Sequence, residues 1–187
     1  MTVDVHQSSS AASSEHDSGD QSHLAQAVLE PQTDTGGPIL AGGVGGRDIS
    51  GLRDRDLVAA IHSAVTAAVG QADLQRELAG APRSERKLLA DGRLEEASLL
   101  AIYSEASGLR IVDDEDVGDV ERFPEVTFDF LAHHQCLPLA WDDEGVLLAA
   151  CTPYGTGRFA LQWRALFGHR ATFVLARQPL VERFLNS

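Results

Sequence analysis

The chain has 187 residues, of which 43% are hydrophobic, so it is long enough for one domain with a tail or for two small domains. Its formal net charge is −13, with 28 acidic residues against 15 basic ones. That balance disfavours a nucleic-acid groove, which needs a basic surface to neutralise phosphates, and it disfavours adhesion to an anionic membrane.

Cysteine content and hydropathy bound the class of protein further. Two cysteines, Cys136 and Cys151, cannot make a disulfide framework, and the first residues lack the basic and apolar regions of a signal peptide. No apolar run approaches the roughly 20 residues of a membrane-spanning helix. These features predict a cytoplasmic protein with reduced thiols and without direct membrane insertion.

Residues 1–50 are predicted to form a disordered acidic tail rich in serine and glycine. The first 46 residues hold six acidic side chains and no lysine or arginine. Such a segment buries too little apolar surface to offset the entropy of ordering it. The run Gly42–Gly46 has the glycines of a phosphate-binding loop, but Arg47 and Asp48 follow where that loop needs a lysine and a hydroxyl residue, so a linker is predicted.

Residues 51–112 are predicted to form a small helical subdomain. Apolar residues recur at helical spacing in four segments, each closed by a glycine: 54–69, 74–78, a helix around Leu88 and Leu89, and a helix around Leu99, Leu100 and Tyr103. Gly92 and Gly108 mark the ends of the last two helices, because glycine readily takes the left-handed conformation that closes a helix. Leu109–Val112 is predicted to be a strand.

Residues 113–187 are predicted to form a small α/β subdomain. The sequence pattern predicts helices over 126–134, 158–167 and 179–185, and strands over 137–141, 146–151 and 171–175. Asp142–Gly145 predicts a hairpin turn with Gly145 at positive φ, and strand–helix–strand predicts a parallel crossover. The predicted fold class is therefore α+β: a hairpin plus a βαβ unit making a three-stranded sheet with packed helices.

The two cysteines allow two interpretations of that hairpin. A two-residue turn at Asp143 and Glu144 would place Cys136 opposite Cys151. A bulge at Gly145 would shift the register by one residue and separate the thiols.

The order of these signals resembles one known family. The residues that carry the resemblance are Leu88, Gly92, Leu99, Gly108 and Val112, then the stretches LPLAWDDEGVLLAACTP and LFGHRATFVLA and the final helix. They are similar to the N-terminal domain of the type II secretion and type IV pilus assembly ATPases, the GspE N-terminal domain, which also occurs joined to bacterial glycosyltransferases. Residues 51–187 together resemble that domain.

The resemblance implies a docking function without catalysis. In that family the domain attaches the motor to a cytoplasmic domain of an inner-membrane partner, and this chain has no GxxxxGK[ST] loop. The prediction is a non-catalytic docking or regulatory module of a secretion, pilus or polysaccharide-export system, without a cofactor. Its expected partner is an inner-membrane secretion component or a glycosyltransferase, which would hold it at the inner face of the membrane.

The alternative function is binding of cyclic di-GMP, which the resemblance implies for a subset of the family. Four residues match the motif of that subset: Arg83, Leu88, Gly92 and Leu99. Four others depart from it: Ser84, Glu85, Tyr103 and Ala106. Glu85 stands at a glycine position, where a carboxylate beside a phosphate is repulsive. The second copy of the motif, present in the subset, is missing between residues 54 and 82.

Candidate side chains for other sites are few. Those predicted to contact a protein partner are Trp141, Tyr154, Arg158 and Arg164, since aromatic residues and arginine dominate binding hot spots. Tyr154, in a glycine-rich loop, is expected to be exposed, whereas helical spacing predicts an inward side made of Phe159, Trp163, Leu166 and Phe167. His133, His134 and Cys136 are metal-ligand types, but their spacing fits no common zinc pattern, so no metal site is predicted.

Overall fold

A computed structural model describes residues 45–70, 74–78, 82–117 and 126–185. Most of the predicted disordered tail, residues 1–44, lies outside the described residues.

Helices occupy most of the predicted helical segments. Their bounds are α1 (Asp54–Val69), α2 (Leu74–Glu77), α3 (Arg86–Ala90), α4 (Glu96–Ser107), α5 (Phe128–His134), α6 (Thr156–Phe167) and α7 (Gln178–Leu185). Three of them end in a left-handed glycine: Gly70 after α1, Gly108 after α4 and Gly168 after α6. The glycine signals in the sequence therefore placed these ends correctly.

Three strands form one mixed sheet, and the predicted α+β class is confirmed. The strands are β1 (Cys136–Trp141), β2 (Gly145–Ala150) and β3 (Arg170–Leu175), in the order β1–β2–β3. β1 and β2 pair antiparallel, whereas β2 and β3 pair parallel and are joined through α6.

The hairpin contains a bulge away from its turn. Trp141 faces Val146, the register of a two-residue turn at Asp143 and Glu144. A shift between Pro138 and Ala140 then moves the pairing by one residue. Cys136 consequently faces Ala150 and not Cys151, so the register separates the two thiols, although the bulge is not at Gly145.

Gly145 is required for close packing and not for positive φ, which corrects the sequence prediction. It is absent from the glycines with positive φ. A Cβ atom added to it would lie 2.3 Å from the carbonyl oxygen of Arg170, on the neighbouring strand. The parallel pairing of β2 with β3 thus begins where the absence of a side chain lets the two backbones approach.

We expect Gly145→Ala to lower the free energy of unfolding by about 2 kcal/mol, because the new methyl group meets backbone that cannot move aside. Urea denaturation of the full chain measures this. Gly51→Ala is the matched control, since its Cβ would meet nothing within 4 Å, and it should change stability by less than about 0.5 kcal/mol. Equal effects of the two substitutions would contradict the packing role of Gly145.

The outer edge of β3 is covered by two chain segments. Ile111 makes a single parallel bridge with Leu175, so the strand predicted over 109–112 is reduced to one bridge. Arg47 makes an antiparallel bridge with Phe173, through N–H···O bonds of 3.0 Å in both directions. Ile49 is buried as well, so residues 45–50, which the sequence assigned to the tail, pack against the sheet.

Both faces of the sheet are covered by apolar side chains. One face joins α1, α4 and α6 in a cluster that includes Leu57, Tyr103, Val146, Trp163 and Phe173. The opposite face packs against α7 in a cluster that includes Leu137, Leu147, Val174, Leu180 and Val181. Burial on both faces explains the continuous apolar sequence of β2.

Candidate functional site

A cavity of about 440 Å³ lies where β2 ends and α6 begins. Its wall is assembled from the start of α1, the segment before α3, the end of α5 and the start of α6. The polar and charged residues on that wall include Asp54, Arg83, His133, His134, Thr152, Tyr154, Arg158 and Gln162. Its size is within the range of small-molecule pockets, and the carboxyl ends of strands in open sheets are a common place for them.

Hydrogen bonds fix the loop that enters α6. The Asp54 carboxylate accepts a bond of 2.9 Å from the backbone N–H of Gly155, which ties the start of α1 to the start of α6. The Thr156 hydroxyl donates to the carbonyl oxygen of Pro153 over 2.6 Å. Arg83 stands across the cavity in the left-handed conformation, with φ of 67°, and its side chain is exposed. The wall thus carries two arginines, Arg83 and Arg158, and one carboxylate, Asp54.

A buried polar cluster lies behind this wall. Glu85 has no exposed surface, and its Oε1 accepts a hydrogen bond of 2.5 Å from the Tyr103 hydroxyl. Nε2 of His62 lies 3.4 Å from Glu85 Oε2 and 3.2 Å from the Ser84 hydroxyl. The single hydroxyl hydrogen of Ser84 goes to the carbonyl oxygen of Leu78, so Nε2 of His62 is the donor to Ser84. This cluster links α1, the segment before α3, and α4.

Tyrosine ionisation is suppressed in the cluster. Burial, followed by the charge of Glu85, raises the pKa of Tyr103 well above its ordinary value. The same two causes, in the same order, raise the pKa of Tyr154. Both phenols therefore remain protonated at any physiological pH, and neither is a base.

His134 is held between aromatic rings on the cavity wall. Its ring centroid lies 4.7 Å from that of Phe130 and 4.7 Å from that of Phe159. Burial, followed by the neighbouring His133, lowers the pKa of His134. The neutral imidazole is therefore the form that this packing favours.

The stability of the protein should consequently fall in mild acid. Because the folded pKa of His134 is below its unfolded value of about 6.5, its contribution is complete above that pH and is lost as the unfolded chain takes up the proton. We expect the urea midpoint to drop between pH 7 and pH 5.5, and to drop less in His134→Asn. Between pH 7 and pH 8.5 the two proteins should behave in parallel. Identical acid losses in both would contradict this assignment.

The cysteine thiols are protonated at neutral pH. Burial, followed by the charge of Cys151, raises the pKa of Cys136 to about 12, and burial raises that of Cys151 to about 11. A thiol in this state is a poor nucleophile and a poor metal ligand. Cys136 borders the cavity together with His133 and His134, yet nowhere in the described ranges do three or more histidine, cysteine or acidic side chains converge as metal ligands.

Part of the chain is similar to a known protein domain. Residues 107–187 match the MshEN domain model. The matched residues run from the end of α4 through the three strands to α7.

Two solved structures share the fold. The N-terminal domain of XpsE is 19% identical, with a TM-score of 0.52 over 68% of this chain and 94% of that one. A structure of MshE with cyclic di-GMP is 18% identical, with a TM-score of 0.50 over 72% of this chain and 96% of that one. No curated protein gives a significant match. The resemblance to the N-terminal domain of the secretion ATPases is thereby confirmed.

The MshEN match begins after the four residues of the predicted nucleotide motif. Of these, Arg83 alone lines the cavity. Leu88 and Leu99 are buried in the core, and Gly92 is an exposed left-handed residue after α3. The structure thus places one of the four where it could touch a ligand of this cavity.

Glu85 and Tyr103, two of the departures from the motif, contact each other. The carboxylate of Glu85, which stands at a glycine position of the motif, accepts a hydrogen bond from the Tyr103 hydroxyl. In the sequence the two replacements look like separate departures from the motif. The two residues are eighteen positions apart and belong to different segments, Glu85 before α3 and Tyr103 in α4, so no local spacing indicates their pairing.

The predicted partner residues are distributed differently from expectation. Tyr154 is 5% exposed, so its predicted exposure is wrong: the loop folds inward, and the ring meets that of Tyr103 edge-on at 5.9 Å. Trp141 is half-buried, with its ring 5.5 Å from that of Trp163. Arg158 and Arg164 are exposed on α6.

Two exposed leucines on α6 were missed. Leu166 is 68% exposed, although the sequence placed it on the inward side, and Leu161 is 57% exposed. Leu166 lies in the last turn, about 60° around the helix from Trp163, which is enough to carry it past the edge of the buried side. The sequence signal that could have found these two leucines is an apolar residue at a helical position outside the buried side of α6.

Across the described ranges, no helix combines the length and apolar character needed to cross a membrane.

Proposed function

We propose that this protein is a non-catalytic docking or regulatory module of a bacterial secretion, pilus or polysaccharide-export system. The observation that carries the proposal is the MshEN match over residues 107–187, joined to a fold shared with the N-terminal domain of XpsE. The exposed leucines and arginines of α6 support it, because apolar side chains open to solvent beside arginine are typical of protein contacts.

The partner that we propose is a cytoplasmic domain of an inner-membrane secretion component or a glycosyltransferase. The module would then work in the cytoplasm, at the inner face of the membrane, through that partner. Neither a cofactor nor nucleic acid takes part in this function, and the net charge of −13 agrees with the exclusion of nucleic acid.

Affinity capture from the native host tests the docking function. The tagged full chain should enrich an inner-membrane component of such a system, whereas Leu148→Asp should not. Leu148 is fully buried in β2, and a carboxylate there abolishes the fold. Capture of no such component, or equal capture by both baits, would contradict a docking function of the folded part.

Binding of cyclic di-GMP is the second candidate function. It is favoured by the shared fold with MshE, whose structure contains that nucleotide, and by the cavity with Arg83 and Arg158 on its wall. Glu85 bears on it as well: its carboxylate is turned into the core toward Tyr103, so it does not face the cavity.

Titration calorimetry with cyclic di-GMP separates the two candidates. Saturable heat that disappears in Arg83→Ala and persists in Lys87→Ala would establish the nucleotide as a ligand. Lys87 is an equally exposed cation that does not border the cavity, so it controls for general charge. Absence of heat in the unaltered protein would exclude this candidate and leave the docking proposal intact.

A further inference from the structure

We infer that the outer face of α6, defined by Arg158, Leu161 and Arg164, binds an acidic protein segment that carries an aliphatic side chain between two carboxylates. This inference rests on the proposed docking function and names the surface and the chemistry of the partner.

The first observation is the apolar content of this face. Leu161 and Leu166 are 57% and 68% exposed, the two highest values among the large apolar side chains that the structure describes. The two leucines are five residues apart and so about 140° apart around α6, which places Leu161 between the two arginines and Leu166 outside this face. Each loses contact with water only if another molecule covers it.

The second observation is charge. α6 contains Arg158 and Arg164 and no acidic residue, in a chain with 28 acidic and 15 basic side chains. Throughout the described residues, neither arginine has an acidic partner within ion-pair distance. Both arginines of α6 are therefore available to the carboxylates of another molecule.

The third observation is the spacing of the three central residues. Leu161 is three residues from Arg158 and three from Arg164, so it lies midway between them along the axis and around the helix. The two arginines are about 9 Å apart along the axis. A partner that satisfies this arrangement has two carboxylates at a similar separation with an aliphatic side chain between them.

The inner side of α6 holds this face rigid. Trp163 has no exposed surface, stacks on Phe159 at 5.6 Å and contacts Phe167 at 4.4 Å. A partner therefore meets a preformed surface, and little ordering entropy is lost on its binding.

An acidic segment fits better than an anionic membrane. A short segment contacts α6 alone, whereas a flat bilayer would face the whole side of a protein with net charge −13. At physiological salt, repulsion from acidic residues more than about 8 Å away is largely screened, so it does not prevent a local contact with α6.

Photo-crosslinking of the full chain in the native host tests this inference. A crosslinking residue replaces Gln162 on α6 or, as the control position, the exposed Ser98 on α4. From position 162 we expect crosslinked peptides with at least two acidic residues flanking an aliphatic one. The double change Arg158→Glu and Arg164→Glu should reduce their yield by about tenfold. The matched reversal of the exposed cations Lys87 and Arg110, which alters net charge equally, should leave the yield unchanged.

Several outcomes would overturn the inference. Crosslinking from position 162 to lipid, to nucleic acid, to a second copy of this chain or to a peptide without acidic residues would do so, as would equal losses in the two charge-reversed proteins. A partner crosslinked from position 98 but not from position 162 would overturn the α6 surface while the docking function stands. If no protein is crosslinked from either position and none is captured, both the α6 surface and the docking function are contradicted.

Discussion

Replacing Trp163 with alanine is expected to lower the free energy of unfolding by about 4 kcal/mol. Trp163 has no exposed surface, and its ring is within 4.4 to 6.2 Å of the rings of Phe130, Trp141, Phe159 and Phe167, measured between centroids. Removing the indole leaves a void that these rings cannot fill, since they are anchored on α5, β1 and α6. Its indole N–H has no hydrogen-bond partner, so the loss is one of packing alone.

Chemical denaturation of the full chain, followed by far-ultraviolet circular dichroism, measures the change. Leu166→Ala on the same helix is the matched control, because Leu166 is 68% exposed. It should alter stability by less than about 0.5 kcal/mol. A loss below about 1 kcal/mol for Trp163→Ala would mean that α6 is not fixed by its aromatic side.

Removing the Tyr103 hydroxyl is the change with the second largest expected effect, about 3 kcal/mol for Tyr103→Phe. The hydroxyl is the hydrogen-bond donor to Oε1 of Glu85, a carboxyl group with no exposure to water. Without it that oxygen has no donor, and the other oxygen, Oε2, has Nε2 of His62 at 3.4 Å but no hydrogen bond. A buried acceptor left in this state bears its full desolvation penalty.

A double-mutant cycle separates this interaction from packing. Tyr103→Phe combined with Glu85→Leu should be more stable than Tyr103→Phe alone, because both polar partners are then gone. Tyr154→Phe is the matched comparison: its hydroxyl is buried near enough to Glu85 for that charge to raise its pKa, but it forms no hydrogen bond of normal geometry, so its removal should cost less than about 1 kcal/mol. Equal losses in Tyr103→Phe and Tyr154→Phe would contradict a specific bond to Glu85.

The Glu85–Tyr103 pair also bears on the choice between the two candidate functions. In the motif of the nucleotide-binding subset, both positions are occupied by residues without polar side chains. Here a carboxylate and a phenol bond to each other inside the core, and the carboxylate lies next to His62 of α1. The paired replacement stabilises the packing of α1 against α4 and supplies nothing to the cavity, which agrees with a module that docks.

Local signals in the sequence were sufficient for most of the elements and for their order, although the strand predicted over 109–112 is only a single bridge. Helical spacing placed α1, α4 and α6, left-handed glycines placed their ends, and the acidic-glycine turn with its flanking apolar runs placed the hairpin of β1 and β2. These features depend on residues within a few positions of each other, where backbone geometry and burial leave few alternatives. The family resemblance followed from the same order of signals.

Contacts between distant residues were decided only by the tertiary structure. The bulge near Leu139 separates the cysteines, Tyr154 turns inward, Leu166 remains outside, and residues 45–50 cover the edge of β3. Glu85 meets Tyr103 across eighteen positions for the same reason. Each depends on which surfaces meet after the helices pack on the sheet, and no local periodicity encodes that meeting. The elements therefore came from the sequence, whereas the buried polar cluster, the cavity and the exposed face of α6 came from packing.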